Sequence, residues 1–75
     1  MSNYYKDKQR AYMELDNIIQ NSIKRKTNIN ITMVVLDLTS KHPVSDKALK
    51  NRINEIASVY NLKIVNDELI CEVKV

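Results

Sequence analysis

The chain contains no glycine, one proline, one cysteine and one histidine. Without glycine it cannot build the Gly-rich loops that cradle phosphates in nucleotide-binding proteins. Cys71 and His42 are the sole residues of their types, which excludes an internal disulfide and any Cys/His zinc cluster. No apolar run approaches the roughly 18 residues of a membrane span, and no signal-peptide pattern opens the chain. These absences lead us to expect an intracellular, cytoplasmic protein with no membrane insertion, a reduced thiol and no cofactor.

What is present suits a single domain spanning residues 1–75. Hydrophobic residues make up 44% and charged residues 28%, the balance of an ordinary globular chain. Twelve Lys and Arg against nine Asp and Glu give a net charge of +3. A core of this size rarely supplies more than about 3–5 kcal/mol, so a second copy or a partner is expected. Lys, Ile and Asn each occur nine times and Arg three times, the bias of an AT-rich genome such as that of a low-GC bacterium, an archaeon or one of their viruses.

Residues 4–26 read as a helix. Tyr5, Tyr12, Leu15, Ile19 and Ile23 recur at helical intervals, Ala11 and Ile18 widen the stripe, and Lys24-Arg25-Lys26 suit the negative end of the helix dipole. Residues 31–42 carry two signals. The β-branched Ile31, Thr32, Val34 and Val35 favour a strand, whereas Ile31, Val34, Val35 and Leu38 lie at the i, i+3, i+4, i+7 positions of a helix. We read a helix, entered by a short extended stretch at 28–31, capped by Asn30 or Thr32 and ended by Pro43. Residues 45–60 form the clearest helix. Ser45 caps it, Asp46 sits in its first turn, Leu49, Ile53, Ile56 and Tyr60 form its buried stripe, and Asn61 takes the left-handed cap. Residues 62–75 read as a β-hairpin. A two-residue turn at Asn66-Asp67 pairs Ile64 with Leu69 and Leu62 with Cys71, and puts all four on one face.

The stretch Leu38-Thr39-Ser40-Lys41-His42-Pro43-Val44-Ser45-Asp46-Lys47-Ala48-Leu49-Lys50-Asn51-Arg52-Ile53 resembles a helix-turn-helix, with Leu38 as the core residue of the supporting helix and Val44 as the apolar residue of the turn. With the hairpin after it, the chain resembles the winged helix-turn-helix family of small archaeal, viral or bacterial transcription regulators. The implied fold is α+β, with three helices followed by a C-terminal β-hairpin wing. Pro43 stands where the family often has glycine, so the turn must differ from the tightest version.

The resemblance implies a sequence-specific binder of double-stranded DNA, a nucleoid-associated homodimer that regulates transcription. The recognition helix is 45–60. Opposite its buried stripe lie Lys47, Lys50, Asn51 and Asn54; asparagine can bond bidentately to adenine, and lysine can reach guanine or a phosphate. Ser45 and the N–H groups at the helix start can hold a phosphate, Arg52 on the flank is a backbone-contact candidate, and Lys63 and Asn66 are the wing candidates. Asp67 and Glu68 make the wing acidic. Tyr5, Tyr12, Leu15 and Ile19 on the first helix are the expected dimer contact, because tyrosine is favoured at interfaces. The acidic wing and the mild net charge also fit a different use of the same fold, a protein–protein interaction module.

No catalytic set is visible, and we expect no enzyme. His42 has no nucleophile in a compelling relation to it and reads as a partly buried residue beside the turn. Asp7, Glu14 and Asp16 are expected on an exposed helix face. Cys71 reads as a small core hydrophobe.

Overall fold

The computed structural model describes residues 4–71, with the side chains of Tyr4 and Tyr5 left aside. In chain order the elements are α1 (Tyr4–Arg25), β1 (Ile29–Asn30), α2 (Ile31–Lys41), α3 (Asp46–Tyr60), β2 (Lys63–Val65) and β3 (Glu68–Ile70). Three helices pack against a three-stranded antiparallel sheet of order β1-β3-β2, an α+β arrangement compatible with a winged helix-turn-helix.

The helix ends follow from local chemistry. Lys26 adopts a left-handed φ of 56°, its N–H bonds the Ile23 carbonyl, and α1 stops there, one residue before the reading of 4–26. The ambiguity at residues 31–36 resolves as helix. Asn30 is the cap, its side chain accepting from the Met33 N–H at 2.9 Å, and Ile31, Val35 and Leu38 turn into the core. α2 ends at Lys41, because His42 must be extended before Pro43. The Val44 N–H then bonds the His42 carbonyl at 2.8 Å across Pro43. That three-residue turn is one that proline's fixed φ suits, and it replaces the glycine turn. Ser45 caps α3 by accepting from the Ala48 N–H at 3.1 Å. At the other end Asn61 (φ 56°) and the Leu62 N–H to Ala57 carbonyl bond of 2.8 Å close a Schellman-type stop without glycine.

The core is formed by side chains from all three helices, with Ile29 of β1, Val44 of the turn before α3, Leu69 of β3 and Cys71 just after it. Leu15, Ile19, Leu38, Leu49, Ile53, Leu69 and Cys71 are its largest fully buried members. The expected stripe of α3 holds at Leu49, Ile53 and Ile56, with Ala57 added. Tyr60 is corrected: it is 48% exposed, because the last residue of the helix runs past the core.

The hairpin has the expected register, Ile64 opposite Leu69, on a two-residue turn whose residues Asn66 and Asp67 both have positive φ. Such a turn matches the twist of the strands it joins, and Asn and Asp tolerate that conformation. Ile64 nonetheless stays 41% exposed. The reading of two strands is also corrected. A third, β1, lies on the far side of β3 and pairs Ile29 with Leu69 and Asn30 with Glu68. The extended entry to α2 is thus strand, and its Ile29 side chain is buried. Residues 72–75 of the expected hairpin lie outside the described residues.

Candidate nucleic-acid interface

The outer face of α3 follows from its buried one. With about 3.6 residues per turn, packing Leu49, Ile53, Ile56 and Ala57 inward leaves Lys47, Lys50, Asn51 and Asn54 within an outward arc of about 100°. All four are exposed. Asp46 and Glu55 fall outside the arc, which carries two cations, two amides and the hydroxyl of the exposed Ser58; Asp46 lines a groove with Lys50 at its edge. Among the described residues neither lysine makes an ion pair, and neither asparagine side chain makes a hydrogen bond within the chain.

Ser45 is exposed, and its hydroxyl oxygen is already engaged with the Ala48 N–H, so at this site it is first a helix cap. Arg52 does not stand ready for a phosphate. Its guanidinium reaches across to α1, with Nη2 3.2 Å from Asp16 Oδ2, Nη1 3.3 Å from Glu55 Oε2, and its centre 5.3 Å from the ring centroid of Tyr12. The hydrogen bond to Asp16 raises its already high pKa further. Arg52 is therefore a tie between α1 and α3. Nε of Arg52 and Oδ1 of Asp16 are buried and lack a hydrogen-bond partner among the described residues.

The expected dimer contact is corrected in the same region. Leu15 and Ile19 are 0% and 1% exposed, members of the core with no surface for a second copy. Tyr12 is half-buried against α3, donating its hydroxyl to the Ala48 carbonyl at 3.4 Å. The Tyr5 side chain lies outside the described residues.

The hairpin tip does not project. The Asp67 carbonyl accepts from the Ile31 N–H at 2.8 Å, and the Asp67 carboxylate accepts from the Thr32 N–H at 3.3 Å and from the Thr32 hydroxyl. The acidic turn thus sits on the N-terminus of α2, where a negative charge is favourable, and α2 has no acidic residue in its own first turn. Asn66 is exposed in this folded-back turn and Lys63 is exposed on β2.

Two side-chain links missed by the sequence reading position the helix pair. Glu14 Oε2 lies 2.9 Å from His42 Nε2, and Glu14 Oε1 lies 3.6 Å from Lys41 Nζ, which also reaches Asp37 at 3.3 Å. The Lys41 ammonium is held above its ordinary pKa, chiefly by its hydrogen bond to Asp37. Glu14 ties α1 to the turn between α2 and α3, and Asp16, two residues on, ties it to α3. Glu14 and Asp16 thus work as fasteners between elements, a correction of the exposed face expected for them. Nothing in their spacing signals this, since their partners are 28 and 36 residues away.

No group of three or more His, Cys, Asp or Glu side chains suited to a metal ion occurs among the described residues. No helix among them is long and apolar enough to cross a membrane. No family model, curated protein or solved structure matches this chain.

Proposed function

We propose that the chain is a winged-helix domain that binds double-stranded DNA and regulates transcription, with α3 entering the major groove. The observation that carries this reading is the outward arc of α3, where Lys47, Lys50, Asn51 and Asn54 are exposed and, among the described residues, make no ion pair or side-chain hydrogen bond. An α-helix fits the major groove, amides and ammonium groups are what its base edges accept, and lysines add phosphate attraction. The element order α–β–α–α–β–β and the β1-β3-β2 sheet support it. With its tip folded onto α2, the hairpin adds little reach, so α3 carries most of the contact.

Fluorescence anisotropy with random duplex DNA, titrated across salt, tests it. Micromolar or tighter binding at low salt is expected, with log affinity falling linearly against log salt. Lys50→Ala should reduce that slope by about 1, and Asn51→Ala should weaken binding without altering the fold. Absence of binding at low salt, or unchanged affinity in both variants, refutes the assignment of this face.

One observation favours the second reading, a protein-interaction module. On α2, Met33 and Leu36 are 66% and 62% exposed, an apolar pair that a protein partner would cover and a DNA backbone would not. The same titration separates the two, because a protein-interaction module shows no salt-dependent affinity for duplex DNA.

A further inference from the structure

α1 closes on the run Lys24-Arg25-Lys26, and the fold brings a fourth cation to the same pole. β1 and β2 both pair antiparallel with β3, so both begin where β3 ends. At that end the Cys71 N–H bonds the Asn28 side-chain oxygen at 3.1 Å on one side, and Lys63 stands opposite Ile70 on the other. α1 leads into β1 and α3 into β2, and Lys24 lines one depression with Tyr60, the last residue of α3. Lys24, Arg25, Lys26 and Lys63 therefore share one end of the molecule, beside the C-terminus of α3. The acidic residues Asp67 and Glu68 lie at the other end of the hairpin.

Helix capping does not account for these side chains. A cation is favourable near a helix C-terminus, but the backbone already serves the last carbonyls of α1. The Lys26 N–H bonds the Ile23 carbonyl at 3.2 Å, and the Thr27 N–H bonds the Ser22 carbonyl at 3.0 Å. All four cations are exposed, and none makes an ion pair among the described residues. Lys26 also holds φ 56°, the left-handed conformation that Asn61 takes at the matching stop of α3. Asparagine tolerates that conformation, and a lysine Cβ is disfavoured there. A charged side chain is thus kept where the backbone favours another residue.

We propose that this pole is a second nucleic-acid contact, which grips the phosphate backbone beside the groove that α3 enters. It rests on the DNA reading of α3 and assigns Lys24, Arg25, Lys26 and Lys63 to phosphates. Chemistry and distance divide the labour. The α3 arc carries amides, which read base edges, whereas these four cations suit phosphate oxygens. A recognition helix meets base edges with its N-terminal residues. Lys50 and Tyr60 are ten residues apart, about 15 Å along α3, and the major groove is about 12 Å wide. With Lys50 and Asn51 at the bases, the cations beside Tyr60 have reached the backbone that borders the groove.

Salt titrations of duplex binding by fluorescence anisotropy test the contact. Each phosphate contact contributes about 0.9 to the slope of log affinity against log salt. The variant Lys24→Gln/Arg25→Gln/Lys26→Gln/Lys63→Gln should lower that slope by about 3–4 and weaken binding to every duplex alike, with an unchanged circular dichroism spectrum. Lys26→Gly should lower the slope by about 1 while raising Tm by about 4–8 °C, since glycine is at ease with a positive φ. A lysine with only a structural role would move Tm alone. The charge-conserving variant Lys24→Arg/Lys26→Arg/Lys63→Arg should keep the parent slope. A four-residue glutamine variant with the parent slope overturns the proposal, whether or not it has lost affinity for phosphatidylserine vesicles. The α3 reading then still stands if Lys50→Ala and Asn51→Ala weaken binding. A lowered slope beside ineffective Lys50→Ala and Asn51→Ala upholds the phosphate contact and overturns the reading of α3. A parent chain that binds no duplex at low salt overturns both.

Discussion

Substituting Asp67 with alanine removes two supports from the fold at once. The first is the carboxylate that accepts from the Thr32 N–H and hydroxyl, capping α2 from a distant element. Loss of a helix cap costs about 1 kcal/mol, within a range of about 0.5–2. The second is conformational: residue 67 has φ 64°, where an alanine Cβ costs about another 1 kcal/mol and glycine costs nothing. Asp67→Ala should therefore lose about 2 kcal/mol, and Asp67→Gly about half of that. In a domain of this size each kcal/mol moves Tm by about 4–8 °C, so the alanine variant should melt about 8–16 °C lower and the glycine variant about 4–8 °C lower. The Ile31 N–H bond to the residue 67 carbonyl survives in both, so the register of the hairpin should hold. Thermal unfolding followed by circular dichroism measures the shifts. An alanine variant as stable as the parent, or a glycine variant no better than alanine, refutes the account of this turn. DNA affinity measured well below the transition should not change, because the turn is committed to α2.

Leu49→Ala truncates a fully buried side chain of α3 and should cost about 2–5 kcal/mol, enough to leave so small a domain largely unfolded at 25 °C by circular dichroism. Arg52→Ala should lower stability in urea by about 1 kcal/mol, the combined size of a partly exposed ion pair and a cation–π contact. Arg52→Lys should not restore it, because an ammonium lacks the planar fork, and neither variant should reduce the salt slope of DNA binding. Burial raises the Cys71 thiol above its ordinary pKa of 9.0. The folded thiol stays neutral while the unfolded one ionises, so this contribution to stability is full below pH 9 and is lost as pH rises through the folded value. Urea titrations at pH 7 and pH 10 should show a smaller loss for Cys71→Val than for the parent; an equal loss refutes it.

Much of the fold was legible because local chemistry and hydrophobic period agree along most of the chain. Ser45, Pro43 and Asn61 punctuate α3 and its preceding turn with residue types that have few other uses there. At Asn66-Asp67 the turn length and the alternation on both strands demand the same register. β1 was legible only as an extended entry, since two residues are too few for a period and their partner lies 40 residues later. The misassigned side chains share one cause. Leu15 and Ile19 carry an interface residue's chemistry and a core residue's period, and only the packing of α1 on α3 distinguishes the two. Arg52, Glu14 and Asp16 look like surface charges until the helices meet, because an ion pair between elements has no spacing rule. The outward arc of α3 was legible for the opposite reason: it depends on one helix alone.

The bond between Asp67 and the start of α2 also orders events during synthesis. α2 and α3 are complete once residue 60 has left the ribosome, yet the first turn of α2 and the buried face of β1 await partners between residues 67 and 71. Pairing Ile29 with Leu69 closes a long loop, a slow step for so short a chain. Until it closes, the helix pair that presents α3 is present but unanchored at one end. A nascent chain stalled before residue 67 would therefore display the outer face of α3 on a loose scaffold, and β3 acts as the clasp that fixes its orientation.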